Sequence, residues 1–201
     1  PNFGLKGAEY FQPSHLGALG FAWLASSSLR TALGRLHRYA RVLQEKLEIT
    51  LTEDAELFYV RIDARIERYS TKVMEDGQVA GLLKFCRVIF GDDLNPAWVQ
   101  FRQPSPAVTG DYYKLFRCPV EFGCEHTQLA LRIEDVDQRL TGSNAELAKL
   151  NEHVVVRYLA HHAKQDILNQ VKAAIIDGLS NGAVTEQSVA DSLHTTPRNL
   201  H

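Results

Sequence analysis

The sequence lacks the features that would place the protein outside the cell or in a membrane. Its three cysteines, Cys86, Cys118 and Cys124, are an odd number without the spacing of a disulfide framework, which is typical of a reducing cytoplasm. No apolar run reaches the roughly 18 residues that a membrane-spanning helix needs, and no signal peptide follows Pro1. We therefore predict a cytoplasmic protein with no membrane partner.

Recognisable catalytic motifs are also absent. The sequence contains no phosphate-binding loop, no nucleophile elbow and no paired-carboxylate motif. Cys118, Cys124 and His126 are residue types that bind zinc, but their spacing matches no paired knuckle and a fourth ligand is missing. Buried thiols in a hairpin are the simpler explanation. The neighbours His161 and His162 point about 100° apart on a helix, so they do not suit one ion. We predict no enzymatic activity, no cofactor and no metal site.

The chain has little net charge. Its 22 Lys and Arg and 24 Asp and Glu give a formal net charge of -2, so it lacks the basic balance that draws a protein onto phosphate backbones. With 201 residues, of which 45% are hydrophobic, it can bury a sizeable core and fits one domain plus a fragment of a second. Strong affinity for DNA is therefore expected to reside outside these residues.

Apolar spacings of three and four predict two amphipathic helices in the first half of the chain. The first covers 28 to 45 with Ser28 as its N-cap, and the second covers roughly 71 to 90. Before them, Gly17 and Gly20 are expected to allow close backbone approach in a short helix or turn. One face of each helix is predicted to be buried.

Alternating apolar residues predict about five strands. Two of them, Leu47 to Leu51 and Phe58 to Ile66, form a hairpin; a third strand lies near Val99, and a second hairpin joins Val120 and Phe122 to the strand at 129 to 133. The whole pattern predicts an α+β fold in which helices pack on a small, mainly antiparallel sheet and further helices follow at the C-terminal end.

The last seventeen residues, 185 to 201, have the pattern of a helix-turn-helix motif whose second helix is incomplete. Thr185 is a good N-cap, and His194 occupies a turn position where a left-handed conformation is often needed. Thr196 caps a second helix that begins with Pro197. Two short helices in a perpendicular pair suit a DNA reader that lays its second helix in the major groove, although helical bundles contain similar turns.

This segment resembles the first helix-turn-helix of AraC-type transcription regulators. The shared pattern consists of an Ala, a Leu, a Ser or Thr N-cap, an Arg and a second Leu, represented here by Ala190, Leu193, Thr196, Arg198 and Leu200. The resemblance implies that Thr196, Arg198 and Asn199 contact DNA in the full-length protein and that residues are missing after His201. Because Pro1 is not a native start, residues are also expected to be missing before it.

Residues 10 to 160 resemble the sensor domain found on the "arabinose-binding" branch of these regulators. The matching segments are 15 to 22, 27 to 33, 98 to 106 and 118 to 123. Gln103 replaces the His that is usual in the family, so a ligand role of that His does not carry over. The founding member has a jelly-roll sensor of about eight strands, but the strong helical patterns here favour the α+β fold.

One set of residues could form a small-molecule pocket. It combines aromatic side chains with two arginines that would pair with a carboxylate, and its members are Phe21, Trp23, Arg38, Tyr39, Trp98, Arg102 and Tyr113. These residues favour a small organic effector, such as an amino acid or another carboxylate. Ordinary core packing of the aromatics is the alternative.

A second set of residues indicates dimerisation. Leu147, Leu150, Val154 and Tyr158 form one apolar stripe on a helix between the sensor and the DNA reader. A homodimer through this stripe is the prediction, and packing of the stripe on the protein's own sheet is the alternative.

These patterns predict three regions and one function. Residues 1–143 form the sensing domain, 144–163 a linker and dimerisation helix, and 164–201 the start of the DNA-binding domain. The predicted function is the sensing and oligomerisation region of a bacterial AraC-type regulator, in which ligand binding shifts the presentation of the DNA reader. The alternatives are a stand-alone α+β small-molecule-binding protein or small enzyme, and a protein-interaction module.

Overall fold

The computed structural model describes residues 3–43, 47–64, 72–180 and 185–196. A short 3-10 helix covers Pro13–Leu16. The α-helices are α1 (Phe3–Ala8), α2 (Ala18–Leu24), α3 (Leu29–Leu43), α4 (Lys72–Phe90), α5 (Gly110–Phe116), α6 (Ile133–Asp137), α7 (Ala145–Ser180) and α8 (Glu186–Ser192). The strands are β1 (Leu47–Glu53), β2 (Leu57–Ala64), β3 (Trp98–Phe101), β4 (Val120–Phe122) and β5 (Gln128–Arg132).

The strands form one five-stranded sheet in the order β1-β2-β5-β3-β4. Every neighbouring pair is antiparallel except β3 and β4, which run parallel. The first predicted hairpin is confirmed, with Leu47 opposite Ala64 and Glu53 opposite Phe58. Its turn is held by Asp54, whose Oδ1 accepts from the amides of Glu56 and Leu57 at 2.8 Å each. The predicted α+β fold with a small, mainly antiparallel sheet is therefore confirmed.

The second predicted hairpin is wrong. β4 does not pair with β5: it lies beside β3, with Val99 opposite Val120, while β5 is inserted between β2 and β3. Gly123 adopts a positive φ of 73° immediately after β4, and the amide of Cys124 then donates to the carbonyl of Phe101 at 3.0 Å. Alternation of apolar residues shows that a strand exists, but it does not show which strand lies beside it.

The core lies where helices cover the sheet. Leu29 and Leu33 on α3 and Val60, Leu129 and Leu131 on the strands are among the most deeply buried side chains. Ser28 caps α3 as predicted, because its Oγ accepts from the amide of Thr31 at 3.2 Å. The helix has one non-helical residue, Tyr39, with φ -116° and ψ 16°, which kinks it near its C-terminal end.

Gly20 makes the close backbone approach that the sequence predicts. A Cβ at this position would lie 1.6 Å from the carbonyl oxygen of Pro13, so no side chain fits between α2 and the 3-10 helix. Gly17, which joins these two helices, has a φ of 57°, a conformation that favours glycine. The two glycines thus allow a tight pair of short helices beneath α3.

Two compact units divide the chain, Pro1–Val155 and Val156–His201, and the division falls within α7. In the second unit, Thr185 caps α8 through a capping box with Ser188, at 3.0 Å from the amide of Ser188 to Thr185 Oγ1. His194 has the left-handed conformation expected of it, with a φ of 52°. No helix in the described ranges is both long enough and apolar enough to span a membrane.

Candidate functional site

An apolar cleft of about 270 Å³ opens between α3, α4 and the first hairpin. Its walls include Leu36, Leu43, Ile49, Ile62, Leu82 and Phe85. Gln12, His15 and Gln78 are the polar side chains among its described lining residues. A concave site with apolar walls and a few polar groups is the usual form of a small-molecule site. We call this space the apolar cleft.

Local sequence patterns explain why the space exists. Leu36 and Leu43 lie two turns apart on α3, and Ile49 is an inward position on β1. On α4, Gly77 and Gly81 are one turn apart and present no side chain to the cleft. A Cβ at Gly81 would lie 2.6 Å from the ring of Phe11. Large apolar residues of α3, β1 and β2 therefore face the two glycines of α4, and these glycines leave the space between the elements unfilled.

A second cavity, of about 510 Å³, lies between α1, α4 and α5. Five basic side chains line it: Lys6, Lys84, Arg87, Lys114 and Arg117. Three acidic ones, Glu9, Asp92 and Asp111, share the lining with apolar residues such as Leu5, Val88 and Leu115. The lining thus carries a formal excess of two positive charges. We call this space the cationic cavity.

Helix α4 borders both spaces with different residues. Gly77, Gln78, Gly81, Leu82 and Phe85 line the apolar cleft, whereas Ala80, Lys84, Arg87 and Val88 line the cationic cavity. Each set follows the spacing of a single helical face. The position of α4 therefore affects the shape of both spaces.

A buried carboxylate fixes α4 near its first turns. Asp76 is 1% exposed; it accepts from Gln103 Nε2 at 2.6 Å and from the Tyr112 hydroxyl at 2.8 Å. Burial raises the pKa of Asp76 above its ordinary value, although the hydrogen bonds from Tyr112 and Gln103 oppose this effect. Gln103 Oε1 is buried without a hydrogen-bond partner among the described residues. The residue that departs from the family pattern is thus a hydrogen-bond partner of α4.

A second anchor joins α7 to α3 within the first unit. Glu152 Oε1 accepts from Arg38 Nη1 at 2.5 Å and from the Tyr39 hydroxyl at 2.8 Å, and its Oε2 accepts from Arg35 Nε at 3.3 Å. Burial alone would raise the pKa of Glu152, but the hydrogen bonds from Tyr39 and Arg35 outweigh it and hold that pKa below its usual value. The start of α7 is therefore tied to the kinked part of α3, the same helix that lines the apolar cleft.

None of the seven residues predicted to form a ligand pocket lines either space, and five of them make side-chain contacts within the protein. Trp23 is buried, with its indole N–H donating to the carbonyl of Phe85 at 3.0 Å. Arg102 pairs with Glu75 at 3.3 Å, and Trp98 packs on the ring of Tyr59 with 5.7 Å between centroids. Arg38 and Tyr39 bind Glu152, and Phe21 and Tyr113 are about half exposed. Their role in ligand binding stays a prediction.

The residues of the apolar cleft were missed because leucines and isoleucines at core positions are normally packed together. The sequence contains one usable signal, the pair Gly77 and Gly81 one turn apart on α4. Small residues one turn apart leave room either for a neighbouring helix or for a ligand. Only the structure shows that Phe11 covers part of this stripe and leaves the rest open.

The predicted dimerisation stripe is exposed. Leu147 is 46%, Leu150 62%, Val154 39% and Tyr158 50% exposed, whereas Ala148 and Val155 on the same helix are buried in the first unit. The alternative, packing of the stripe on the protein's own sheet, does not account for this exposure. Dimerisation itself stays a prediction.

The predicted DNA contacts lie at the edge of the described chain. Thr196 is exposed, whereas Arg198 and Asn199 lie outside the described residues. Within the described ranges, no group of three or more His, Cys, Asp and Glu side chains is placed to hold a metal ion. Cys86 is fully buried, and its burial raises the pKa of the thiol to about 12.

Comparison with known proteins supports the family resemblance that the sequence shows. Residues 1–140 match the arabinose-binding domain of AraC transcription regulators, at the N-terminus of those proteins. The chain is 25% identical over 202 residues to the ornithine utilization regulator of Pseudomonas aeruginosa, covering 100% of this chain and 59% of that protein. The chain thus spans about three fifths of the length of this curated relative.

The fold also matches that of a solved regulator. The crystal structure of the transcriptional regulator CdpR from Pseudomonas aeruginosa superposes with a TM-score of 0.60 at 17% sequence identity. The match covers 98% of this chain and 65% of that one. At this level of identity, the likeness supports the fold alone.

Proposed function

This chain belongs to the AraC transcription regulators that carry the N-terminal arabinose-binding domain, and we propose that its effector binds in the apolar cleft. The domain is the effector-sensing region of such regulators. The observation that carries the proposal is the cleft itself, a space of about 270 Å³ with largely apolar walls between the sheet and two helices. That is large enough for a small organic molecule.

The lining defines the class of effector. Most of it is apolar, and Gln12, His15 and Gln78 are its polar members among the described residues. A ligand that fits has an apolar body and one or two hydrogen-bonding groups, because unpaired polar groups are costly to bury. The relative is named for ornithine utilization, but ornithine carries two ammonium groups and no acidic residue lines the described cleft. We therefore propose an apolar or aromatic effector instead of ornithine.

The sequence predicted that two arginines pair with a carboxylate on the effector, and this part of the prediction has less structural support. The arginines chosen for it, Arg38 and Arg102, already pair with Glu152 and Glu75. Neither lines the apolar cleft. A carboxylate on the effector would instead meet His15 or the amides of Gln12 and Gln78 at the polar part of the lining.

The proposed signal path runs through α3. Leu36 and Leu43 face the cleft, while Arg35, Arg38 and Tyr39 on the same helix hold Glu152 of α7. A ligand that binds one arrangement of α3 better than another shifts the population of that arrangement, by no more than its difference in affinity. Because α7 continues into the second unit, we propose that this shift changes how the DNA reader is presented.

Dimerisation through α7 completes the proposed mechanism. Exposed leucine and valine side chains on one helical face are costly in water and are a common basis for a symmetric two-helix interface. The stripe Leu147, Leu150, Val154 and Tyr158 provides such a face.

Sedimentation of the chain at micromolar concentration tests dimerisation through this stripe: we expect a dimer, and a Leu150→Glu variant should be monomeric. A wild-type monomer would contradict the proposal.

The effector proposal is tested with a variant that fills the cleft. Gln78 is half-buried on α4 and lines the cleft, so Gln78→Trp adds bulk there without removing a core residue. Val73→Trp is the matched control, because Val73 is exposed on the same helix and lines neither space. The uncharged fluorescent probe N-phenyl-1-naphthylamine should bind the wild type and the control, and bind the filled variant at least about tenfold more weakly, which is about 1.4 kcal/mol.

The same variants test regulation. The full-length protein is assayed by gel shift on the DNA upstream of its own gene, with indole, benzoate and decanoate as candidate effectors. A compound that changes the shift for the wild type should have no effect on Gln78→Trp and a normal effect on Val73→Trp. An unchanged response of the filled variant would show that the effector binds elsewhere.

A further inference from the structure

The cationic cavity contains positive charge that the protein does not neutralise. Among the described residues, none of its five basic side chains has a carboxylate oxygen within 4.0 Å. Elsewhere in the first unit, Arg30, Arg35, Arg38 and Arg102 all have such partners. Among the described residues, the basic side chains around this cavity therefore lack the carboxylate partners that these four arginines have.

Arg87, which lines this cavity, makes its hydrogen bonds to neutral groups. Its guanidinium donates from Nη1 to the carbonyl of Leu115 at 2.8 Å, from Nε to the carbonyl of Leu94 at 3.0 Å, and from Nη2 to Asn95 Oδ1 at 3.3 Å. All three acceptors are neutral. Burial and the nearby charge of Arg117 lower the pKa of Arg87, and the charge of Asp92, which also lines the cavity, opposes this effect only in part.

The geometry of Arg87 leaves donors for a ligand. A guanidinium has five N–H groups, and the three bonds to protein acceptors leave one N–H on each terminal nitrogen. These contacts also fix the position of the side chain. Arg87 is thus held in place by neutral groups while its charge remains available to an anion.

Arg117 is placed at the same cavity by an unfavourable backbone conformation. It caps the C-terminal end of α5 with φ 56° and ψ 33°, a left-handed conformation in which glycine is normally preferred. Its Nη1 donates to the carbonyl of Asp92 at 2.7 Å, again a neutral acceptor. Such conformations persist where the surrounding structure determines them, and they are frequent at binding sites.

We propose that the cationic cavity binds a small molecule carrying one or two carboxylates, with Arg87 and Arg117 as its charged partners. Arginine recognises carboxylates through paired N–H donors. Leu5, Val88 and Leu115 contact the carbon skeleton, and the cavity volume of about 510 Å³ accommodates one. The three acidic residues in the lining limit the excess to two positive charges, which suits a mono- or dicarboxylate better than a polyphosphate. This ligand is distinct from the apolar effector of the cleft.

The binding of succinate to the full chain tests the proposal. Calorimetric titration is performed at constant ionic strength, which is maintained with potassium chloride. A change in the screening of charges by salt then does not contribute to the measured affinity. The variant is Arg117→Gly, which removes the side chain and supplies the residue that the backbone conformation prefers. We expect the Tm without ligand to rise by about 2 °C, while the Kd for succinate increases at least about tenfold.

This combination separates loss of the site from damage to the fold, because the variant becomes more stable while it loses affinity. Arg139→Gln, an exposed arginine outside the cavity lining, is the control and should change the Kd by less than about twofold. Lys114→Gln, within the cavity, should weaken binding by about threefold.

Three results would overturn the proposal. One is the absence of heat with both succinate and glutarate. The second is binding of inorganic phosphate without binding of either carboxylate, which would assign the cavity to a different anion. The third is an equal loss of affinity in Arg139→Gln and Arg117→Gly, which would show that only the overall charge matters.

Discussion

The two faces of α4 border spaces of opposite character, and the contrast shows how one helix can serve two sites. Towards the sheet and α3, the helix presents Gly77, Gly81 and Leu82 to a cleft that is almost free of polar groups. Towards α1 and α5, it presents Lys84 and Arg87 to a cavity lined with charge. Under the two proposals, the first space selects its ligand by shape and exclusion of water, and the second by charge and hydrogen bonding.

The two spaces also differ in their connection to α7. Helix α3 contributes Leu36 and Leu43 to the apolar cleft and contributes no residue to the described lining of the cationic cavity. Because α3 also binds Glu152 of α7, the apolar cleft is the one of these two spaces that, among the described residues, shares a lining helix with the contact to α7. For this reason we assign the effector to the cleft.

The largest expected effect comes from removing the carboxylate that anchors α4 for both spaces. Asp76→Ala leaves the buried donors of Gln103 and Tyr112 without an acceptor, and we expect the free energy of unfolding to fall by about 3 kcal/mol in urea denaturation. Asp93→Ala, at an exposed acid whose side chain forms no hydrogen bond or ion pair with the described residues, is expected to change it by less than about 0.5 kcal/mol. Similar values for the two variants would show that the network around Asp76 does not hold α4.

Exchanging residue types between the two faces gives the next largest effect. Leu82 is 5% exposed beside the cleft, so Leu82→Lys buries a charge without a partner and should cost about 3 kcal/mol. Lys84→Leu on the opposite face removes one cation from a site with an excess of them and should cost less than about 1 kcal/mol. Thermal and urea unfolding measure both. Equal costs would mean that the faces do not differ as described.

The anchor on α7 gives a smaller effect on stability but a specific effect on function. Glu152→Gln should lower stability by about 1 kcal/mol, leave the binding of N-phenyl-1-naphthylamine unchanged, and abolish the effector response in the gel shift. Glu146→Gln, an exposed acid on the first turn of α7, should behave as wild type. A normal response in Glu152→Gln would exclude the route through α3.

The same anchor predicts a dependence on pH. The pKa of Glu152 is lowered in the folded chain, so its contribution to stability is fully present above the unfolded-state value of about 4.3 and is lost as the pH falls through the lower folded-state value. Between pH 6 and pH 3 the wild type should lose more stability than Glu152→Gln does. Parallel curves for the two proteins would contradict the assignment of the charged form to Glu152.

Local patterns in the sequence predicted much of the fold. The cap at Ser28, the first hairpin and the turn at His194 depend on residues close together in the chain, and all three are confirmed. The partner of β4 depends on the path of the whole chain, and alternation of apolar residues carries no information about it. That is why the second predicted hairpin was wrong.

The candidate site residues were harder to predict because the two proposals depend on which partners a side chain has in the fold. Arg38 and Arg102 were chosen as ligands for a carboxylate, yet Glu152 and Glu75 already neutralise them. Arg87 was not selected from the sequence, and only the structure shows that its hydrogen-bond acceptors are neutral. The pairing of a charge is a property of the fold and cannot be read from residue type.

The contrast between the two faces is tested most directly by methyl NMR of the full chain. On addition of N-phenyl-1-naphthylamine, the account predicts shifts for the methyl groups of Leu36, Ile49 and Leu82 around the apolar cleft, with those of Val88 and Leu115 around the cationic cavity unchanged. Shifts confined to Val88 and Leu115, or no shifts at Leu36 and Leu82, would contradict the assignment of the apolar ligand to the cleft.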